Sequence, residues 1–558
     1  MNRGRVFLAL LLLGVVSFAG IIDTRPVSGL ETSYQNPVTA APPLSRPSTP
    51  SCTVSLAQNQ PFPFAGYDTP FKGTYSPPTQ CPAPWSMVVL DLIGHVAGRQ
   101  FDREAAVWIG NAMVYMGTTP EPTTSGITWH VEKDLSEYTP LLLKSQPYAI
   151  QVPNLITSVF TGTIYVNATL TFYETSSMFP AASHPDTIVP LSGSWLFLFQ
   201  RATLNAPPVI LPTNLVQLRL ELWAKGNSCD EFWFGSQPDA YANANGLCGG
   251  GAFREIKVFI DGTLAGVVWP FPYVFTGGVN PYLWRPIPAI DAFNEPPYIV
   301  DLTPFAGMLT DGSSHTVGFQ VVNNGFYWQI DGNLLVNVDP GMAVTSGQLT
   351  TYNVTPNATH PVTQTINNNG GLFDFTAKRS LTVAGYMDTS KGRVTTMIHQ
   401  DFTFTNNQVL DLVNFLENLM GTETVTTTTT TTDASGSGTV TVADSYPIAM
   451  TSAFIIPPAS GSVSGGPLRF ILPATVTQSF IRTATMLANG QAVSATSLSD
   501  TVHSEAVLGR VLTTGANFVA SGQDSEDYVL SDSTGACFNH LIEASQGFVT
   551  MNAMLPTC

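Results

Sequence analysis

Apolar residues in this chain recur at every second position, in short runs broken by turn residues. Met87 to Ile93 and Val107 to Tyr115 are near-continuous apolar runs of strand length, the pattern of strands covered on both faces. Tyr165 to Tyr173 alternates instead. Val166, Ala168, Leu170 and Phe172 share one face, so Asn167, Thr169 and Thr171 lie on the other. Leu218 to Leu222 alternates in the same way. Ile256 to Ile260 leads into Asp261-Gly262 and then Thr263 to Trp269; Phe326 to Ile330 leads into Asp331-Gly332 and then Asn333 to Val338. Both predict hairpins, because the two central residues of a type I′ turn need positive φ. Long apolar helices are absent from this part of the sequence. The pattern predicts an all-β fold, with two antiparallel jelly-roll-like β-sandwich domains over 51–184 and 185–340 and a further mostly β region over 341–558.

Three stretches break the pattern. Leu410, Val413, Leu416 and Leu419 recur at helical spacing, with Asn406 or Asn407 to cap and Gly421 to end, so Gln408 to Met420 predicts a helix. Thr426 to Thr432 and the Ser/Gly run after it predict a Thr-rich mobile loop over 422–438, open to O-glycosylation. Residues 23–50 are polar and Pro-rich and predict a linker without a core. Ahead of them, Arg3 and Arg5 precede an apolar run from Val6 to Ile22, with Ser17-Phe18-Ala19 offering a cleavage site. Residues 1–22 therefore read as a signal peptide, with a retained type II anchor as the alternative. The implied location is the secretory pathway, with a secreted or vacuolar, lysosome-like protein as its product and contact with a membrane only through a retained anchor.

Composition narrows the partners. The 558 residues carry 22 Lys+Arg against 39 Asp+Glu, a net charge of −17. Such a chain has no basic footprint for nucleic acid and no attraction to anionic lipid. Six cysteines in a secreted chain imply disulfides; their order suggests the local pairs Cys52 with Cys81, Cys229 with Cys248 and Cys537 with Cys558, among about fifteen connectivities. A metal site finds no support in C-x-x-C or H-x-x-x-H spacing, and no cofactor motif is present. Asn167, Asn353 and Asn357 open N-glycosylation sequons. The scattered histidines offer no catalytic pair, and His95 reads as an interior histidine.

The most informative stretch is Gly98-Arg99-Gln100-Phe101-Asp102-Arg103-Glu104-Ala105-Ala106-Val107-Trp108-Ile109-Gly110. Taken alone, Asp102 is a surface carboxylate paired with Arg99 or Arg103. Together with Phe71-Lys72-Gly73-Thr74-Tyr75-Ser76-Pro77-Pro78, Glu121-Pro122-Thr123 and Gly126 to Asp134, however, the stretch resembles the peptide-N-glycosidase A family, whose members cut N-linked glycans from asparagine. Phe101 to Val107 is also similar to the Trp-Asp-Arg-x-Ala-x-Val run of the bacterial peptide-N-glycosidase F enzymes, with Phe in place of Trp. The resemblance implies that Asp102 is the catalytic acid–base residue and that Arg103 binds or orients substrate.

Cys229-Asp230-Glu231-Phe232-Trp233-Phe234 resembles the family's Asp-Glu-Phe-Trp motif. Acids among aromatics suit sugars, which need hydrogen bonds to hydroxyls and flat faces for their C–H surfaces. The alternative is a disulfide-pinned loop whose aromatics pack a sandwich edge. Gly249, Gly250 and Gly251 stand where the bacterial enzymes carry their second acid, which leaves Glu231 as the second catalytic residue. By the same resemblance, Arg99, Arg103, Glu121, Asp230 and Trp233 bind substrate. Glu121 sits between two prolines on a stiff loop. Glu132 reads equally as a site residue or a solvated strand end, and Trp129 as core. The implied activity is hydrolysis of the N-acetylglucosamine–asparagine amide of N-glycosylated peptides and proteins, without a cofactor. A glycosidase or a non-catalytic glycan-binding sandwich are the alternatives.

Overall fold

Eight strands from Ser51–Phe62 to Ile164–Glu174 wind into the first sandwich. In a computed structural model that describes residues 33–63, 69–200, 202–456, 469–511 and 517–558, one sheet takes the first, eighth, third and sixth of these strands and the other the second, seventh, fourth and fifth. That order is the double Greek key of a jelly roll. Apolar alternation drives it: Val166, Ala168, Leu170 and Phe172 all point into the shared core, as expected. The leader predicted over 1–22 lies outside the described residues.

The second sandwich repeats the winding. Leu196–Phe199, Tyr327–Val338, Leu215–Asn227 and Tyr298–Asp301 form one sheet in that order, with Thr187–Pro190 as a fifth strand also paired to Tyr327–Val338; Leu204–Asn205, Val317–Val322, Glu255–Ile260 and Thr263–Val268 form the other. Asp261 and Gly262 take φ 47° and 81° and close the predicted hairpin. The other Asp-Gly pair does not turn. Tyr327–Val338 is one strand paired along its length with Leu215–Asn227, and Asp331 accepts a 2.8 Å hydrogen bond from Trp108 Nε1 in the first sandwich. Conversely, Val107 to Tyr115 is two strands, Glu104–Ile109 and Ala112–Thr118. Gly110 and Asn111, at φ 60° and 68°, make the tight turn that an apolar reading passes over. His95 is exposed and bonds to Thr128 Oγ1, so it is not an interior histidine.

The described residues between 346 and 554 build a twelve-stranded antiparallel sheet with strands of up to 21 residues, about twice the upper end of the usual range. It shares a continuous apolar core with the second sandwich, through pairs such as Trp269 with Phe402 and Phe253 with Phe404. The predicted helix is absent. Gln408 to Met420 spans the end of Gly392–Asp411, a turn, and the start of Leu416–Asp433. Strand period puts Asn406 and Gln408 inward, where both donate to the Phe234 carbonyl at 2.9 and 3.0 Å. Asp411 Oδ1 accepts the Val413 and Asn414 N–H groups and reverses the chain. The Thr tract is a strand rather than a loop. Thr426 to Thr432 pair with Thr395–Asp401 on one side and Ser437–Ala443 on the other, and hydroxyls face one another across the ladder, Thr428 with Thr441 and Thr430 with Thr439. β-branched residues suit such a surface, and the reversal is confined to Ala434-Ser435.

The described part of the expected linker, 33–50, is an ordered strap. Gln35 N–H donates to the Gly547 carbonyl, Val38 N–H to the Pro286 carbonyl, and Ala40 N–H to Glu526. Arg46 ends the strap in a cluster with Asp91 and Glu132, which gives Glu132 a structural duty. Disulfides join Cys52 to Cys81, Cys229 to Cys248 and Cys537 to Cys558. Of the sequon asparagines, Asn167 is half-buried and accepts from Asn59 N–H, Asn357 accepts from Lys257 Nζ, and Asn353 is exposed at a strand end.

Candidate active site

Asp102 lies just before the Glu104–Ile109 strand, in a segment held from both sides. Buried Gln100 donates to the carbonyls of Leu155 and Gly162 and accepts from Arg103 Nη2 at 2.6 Å. Arg103 N–H donates to Thr119 Oγ1 at 2.9 Å and the Thr119 N–H returns to the Arg103 carbonyl at 2.8 Å. These bonds tie the Asp102 segment to the loop that carries Glu121.

The opposite wall comes from the second sandwich. Residues 269–297 link Thr263–Val268 to Tyr298–Asp301 without a strand of their own, a length at which loops are usually functional. Thr276 Oγ1 donates to the Thr119 carbonyl at 2.8 Å. The next residue, Gly277, donates its N–H to the Asp102 carboxylate. A Cβ at 277 would overlap Asp102 Oδ1 and lie 2.9 Å from Glu121 Oε1, so both carboxyl groups converge on this one glycine. Gly278 follows against the Phe232 ring, which brings the Asp-Glu-Phe-Trp motif to the same place. Asp102 and Glu121 thus meet in a narrow crevice against residues 277 and 278.

Burial sets the electrostatics. Asp102 is raised above the ordinary carboxylate range, first by desolvation, with the Gly277 N–H and the charges of Lys225 and Arg103 opposing. Glu121 is raised to about 7 by desolvation and then by the Asp102 charge, against Arg285, Arg510 and Arg99. Glu231 is raised to about 8 by desolvation, eased by Lys225 and raised further by Asp102. The Asp102 charge thus acts on both Glu121 and Glu231, and repulsion adds to burial in keeping Glu121 about half protonated and Glu231 mostly protonated near neutrality. Lys225 stands among them, 3.4 Å from Glu104 Oε2 and 4.5 Å from the Phe275 ring centroid.

The structure gathers Asp102, Arg103, Arg99, Glu121 and Glu231 here and separates the other two. Asp230 is fully buried in an ion pair with Arg254, Oδ1 to Nη2 at 2.6 Å, and accepts Phe326 N–H on Oδ2. Its lone pairs are committed, so it is a scaffold residue and not a substrate ligand. Trp233, 4% exposed, packs on Phe234 and Phe404 in the core beneath the twelve-stranded sheet. The two residues flank Glu231 and Phe232, at the end of the tight turn Ser228–Asp230 and the start of the next, Trp233–Gly235. Lys225, Gly277, Arg285 and Arg510 went unpredicted. Only Thr276-Gly277-Gly278 carried a signal, two glycines where a backbone comes close to another group; nothing in the sequence marks a lone Arg510, more than 380 residues beyond Glu121.

Residues 37–355 match the family model described as Peptide N-acetyl-beta-D-glucosaminyl asparaginase amidase A. The chain belongs to this amidase A family. The matched residues include both jelly rolls and Asp102, Glu121 and Glu231, and stop at the start of the twelve-stranded sheet. The almond (Prunus dulcis) protein named Peptide-N4-(N-acetyl-beta-glucosaminyl)asparagine amidase A is 34% identical over 391 residues, 66% of this chain and 68% of the relative. Among solved structures, peptide:N-glycanase F aligns with a TM-score of 0.34 and 15% identity over 52% of this chain and 96% of that one. PNGF-II aligns with a TM-score of 0.36 and 12% identity over 52% and 65%.

Proposed function

We propose that this amidase A family member is a peptide:N-glycanase. It hydrolyses the amide between N-acetylglucosamine and asparagine, releases the glycan as a glycosylamine and leaves aspartate. The observation that carries the mechanism is the convergence of Asp102 and Glu121 on Gly277, with Glu231 within reach of the Asp102 charge. Water adds to the side-chain carbonyl carbon, the C–N bond breaks, and the nitrogen leaves with a proton. Asp102, ionised, takes the proton from water. Glu231, protonated near neutral pH, is the O–H donor for the departing nitrogen, and Arg103 supports charge growing on the carbonyl oxygen. Gly277 holds Asp102 through its N–H while leaving room for the carboxylate.

The three disulfides support a place in the secretory route or a compartment reached from it. Among the described residues, no helix is long and apolar enough to cross a membrane.

The test is Asp102→Asn assayed on a defined N-glycopeptide. Deglycosylation should fall at least about a hundredfold, the range of a lost acid–base group, with an unchanged circular dichroism spectrum. Wild-type product should carry aspartate at the former asparagine. Retention of one N-acetylglucosamine there would make the enzyme a glycosidase, and full activity of the variant would remove Asp102 from the chemistry.

A further inference from the structure

Elsewhere among the described residues these arginines each meet at least one acid: Arg254 with Asp230, Arg379 with Glu255, Arg482 with Asp444, and Arg46 with both Asp91 and Glu132. Beside the crevice the ratio breaks. Arg99 from the first sandwich, Arg285 from the 269–297 loop and Arg510 from the twelve-stranded sheet all act on the single carboxyl of Glu121. Their placement is built. Arg285 Nη2 stands 3.7 Å from Glu121 Oε2, and its guanidinium lies between the rings of Tyr34 and Tyr282, 4.9 and 4.3 Å from their centroids. Tyr282 OH accepts from Asn517 Nδ2 at 3.0 Å, and Asn517 Oδ1 accepts from Arg510 Nε at 2.9 Å. Arg285 Nε is buried and has no hydrogen-bond partner among the described residues. Holding three guanidinium groups together costs free energy through mutual repulsion, and burial with Arg99 and Arg285 nearby disfavours the charge of Arg510. One carboxyl that is itself partly protonated does not offset this, in a chain whose net charge is −17.

We propose that Arg99, Arg285 and Arg510 form a carboxylate-binding subsite for the peptide part of the substrate, completed by the C-terminal sheet. The inference rests on the glycanase reading and adds a substrate class to it: N-glycopeptides with a carboxylate close to the glycosylated asparagine. Guanidinium forks match carboxylates in shape and charge. The peptide is the source because Glu121 lies at the reacting amide. A free C-terminus or an acidic side chain beside the asparagine lies a few bonds from that amide, whereas an acidic sugar at the end of a branched glycan lies several residues away. The twelve-stranded sheet thereby contributes substrate selection as well as a floor for the second sandwich.

The test compares three forms of one N-glycopeptide: free C-terminal acid, C-terminal carboxamide, and carboxamide with Asp after the glycosylated Asn. At low salt the full-length enzyme should prefer one or both acidic forms over the plain carboxamide by about tenfold in kcat/KM, the strength of one charged hydrogen bond; which form wins identifies the source. The preference should shrink in about 0.5 M NaCl. It should vanish in Arg510→Gln and survive in part in Arg510→Lys. Equal kcat/KM for all three forms in wild type overturns the subsite. If none of them is hydrolysed, the glycanase reading fails separately, and calorimetric Kd values for acid and carboxamide peptides decide the subsite: equal Kd values overturn it. If Arg510→Gln does not fold, the wild-type preference and its salt dependence decide whether the subsite exists.

Discussion

Replacing Gly277 by alanine isolates the geometry of the crevice from its chemistry. The variant removes no charge, no donor and no acceptor; it adds one methyl group. That methyl overlaps Asp102 Oδ1 and sits 2.9 Å from Glu121 Oε1. To regain ordinary van der Waals separation the Asp102 carboxylate must retreat by about 1 Å. A displacement of about 1 Å at a reacting group costs about a hundredfold in rate, so kcat/KM on a glycopeptide should fall by about that factor. Relief of the overlap also costs about 1–3 kcal/mol of stability, the range for an overpacked interior. Thermal melting measures this second effect, and assays well below the melting temperature keep the two apart. Gly438→Ala is the control, since a Cβ there meets no atom within 4 Å. If Gly277→Ala keeps activity within about threefold of wild type, a loss far below the expected one, Asp102 is free to move, and the crevice as described does not hold the reacting group.

Two further outcomes follow from burial. Glu121 and Asp331 are raised to about 7, and Glu231, Glu295 and Asp524 to about 8, each first by desolvation. A carboxyl raised on folding binds its proton more tightly in the native state. Its contribution is complete below the unfolded value of about 4 and lost as pH rises through the folded value. The melting temperature should therefore fall between about pH 5 and pH 8.5, with protons released on unfolding; a flat or rising profile would refute the burial of these groups. Separately, Asp230→Ala leaves Arg254 charged and unpaired in a place with no solvent exposure, and should cost about 3–5 kcal/mol in denaturant unfolding. An effect under about 1 kcal/mol, the size of an exposed pair, would return Asp230 to the surface of the site.

The fold was legible wherever one physical signal governed. Alternation in Tyr165 to Tyr173 marked the buried face, and Asp261-Gly262 makes its turn because the Asp261 carboxylate bonds locally, to His315 and Thr316 at the same sheet edge. The same dipeptide at Asp331-Gly332 misleads because Asp331 serves Trp108 across the sandwich interface, a tertiary demand that local turn chemistry does not carry. Leu410, Val413, Leu416 and Leu419 mimic a helix because a turn at Asp411–Phe415 resets the strand period between them. For the site, family resemblance reached Asp102, Glu121 and Glu231 but could not separate Glu231 from the adjacent Asp230, whose opposite fates depend on Arg254 lying behind the turn. Gly277, Lys225, Arg285 and Arg510 belong to a constellation assembled by long-range packing.

The strap has a bearing on how the protein is made. Its hydrogen bonds run from Gln35 to Gly547 and from Ala40 to Glu526, so segments more than 480 positions apart in the chain are fastened together. Domains usually fold one after another during synthesis. Here Tyr34, which donates to the Glu121 carbonyl and lies against Arg285, finds its place only once the closing hairpin of the sheet exists. A chain that lacks that hairpin leaves the strap untied, and with it the Tyr34 contacts to Glu121 and Arg285.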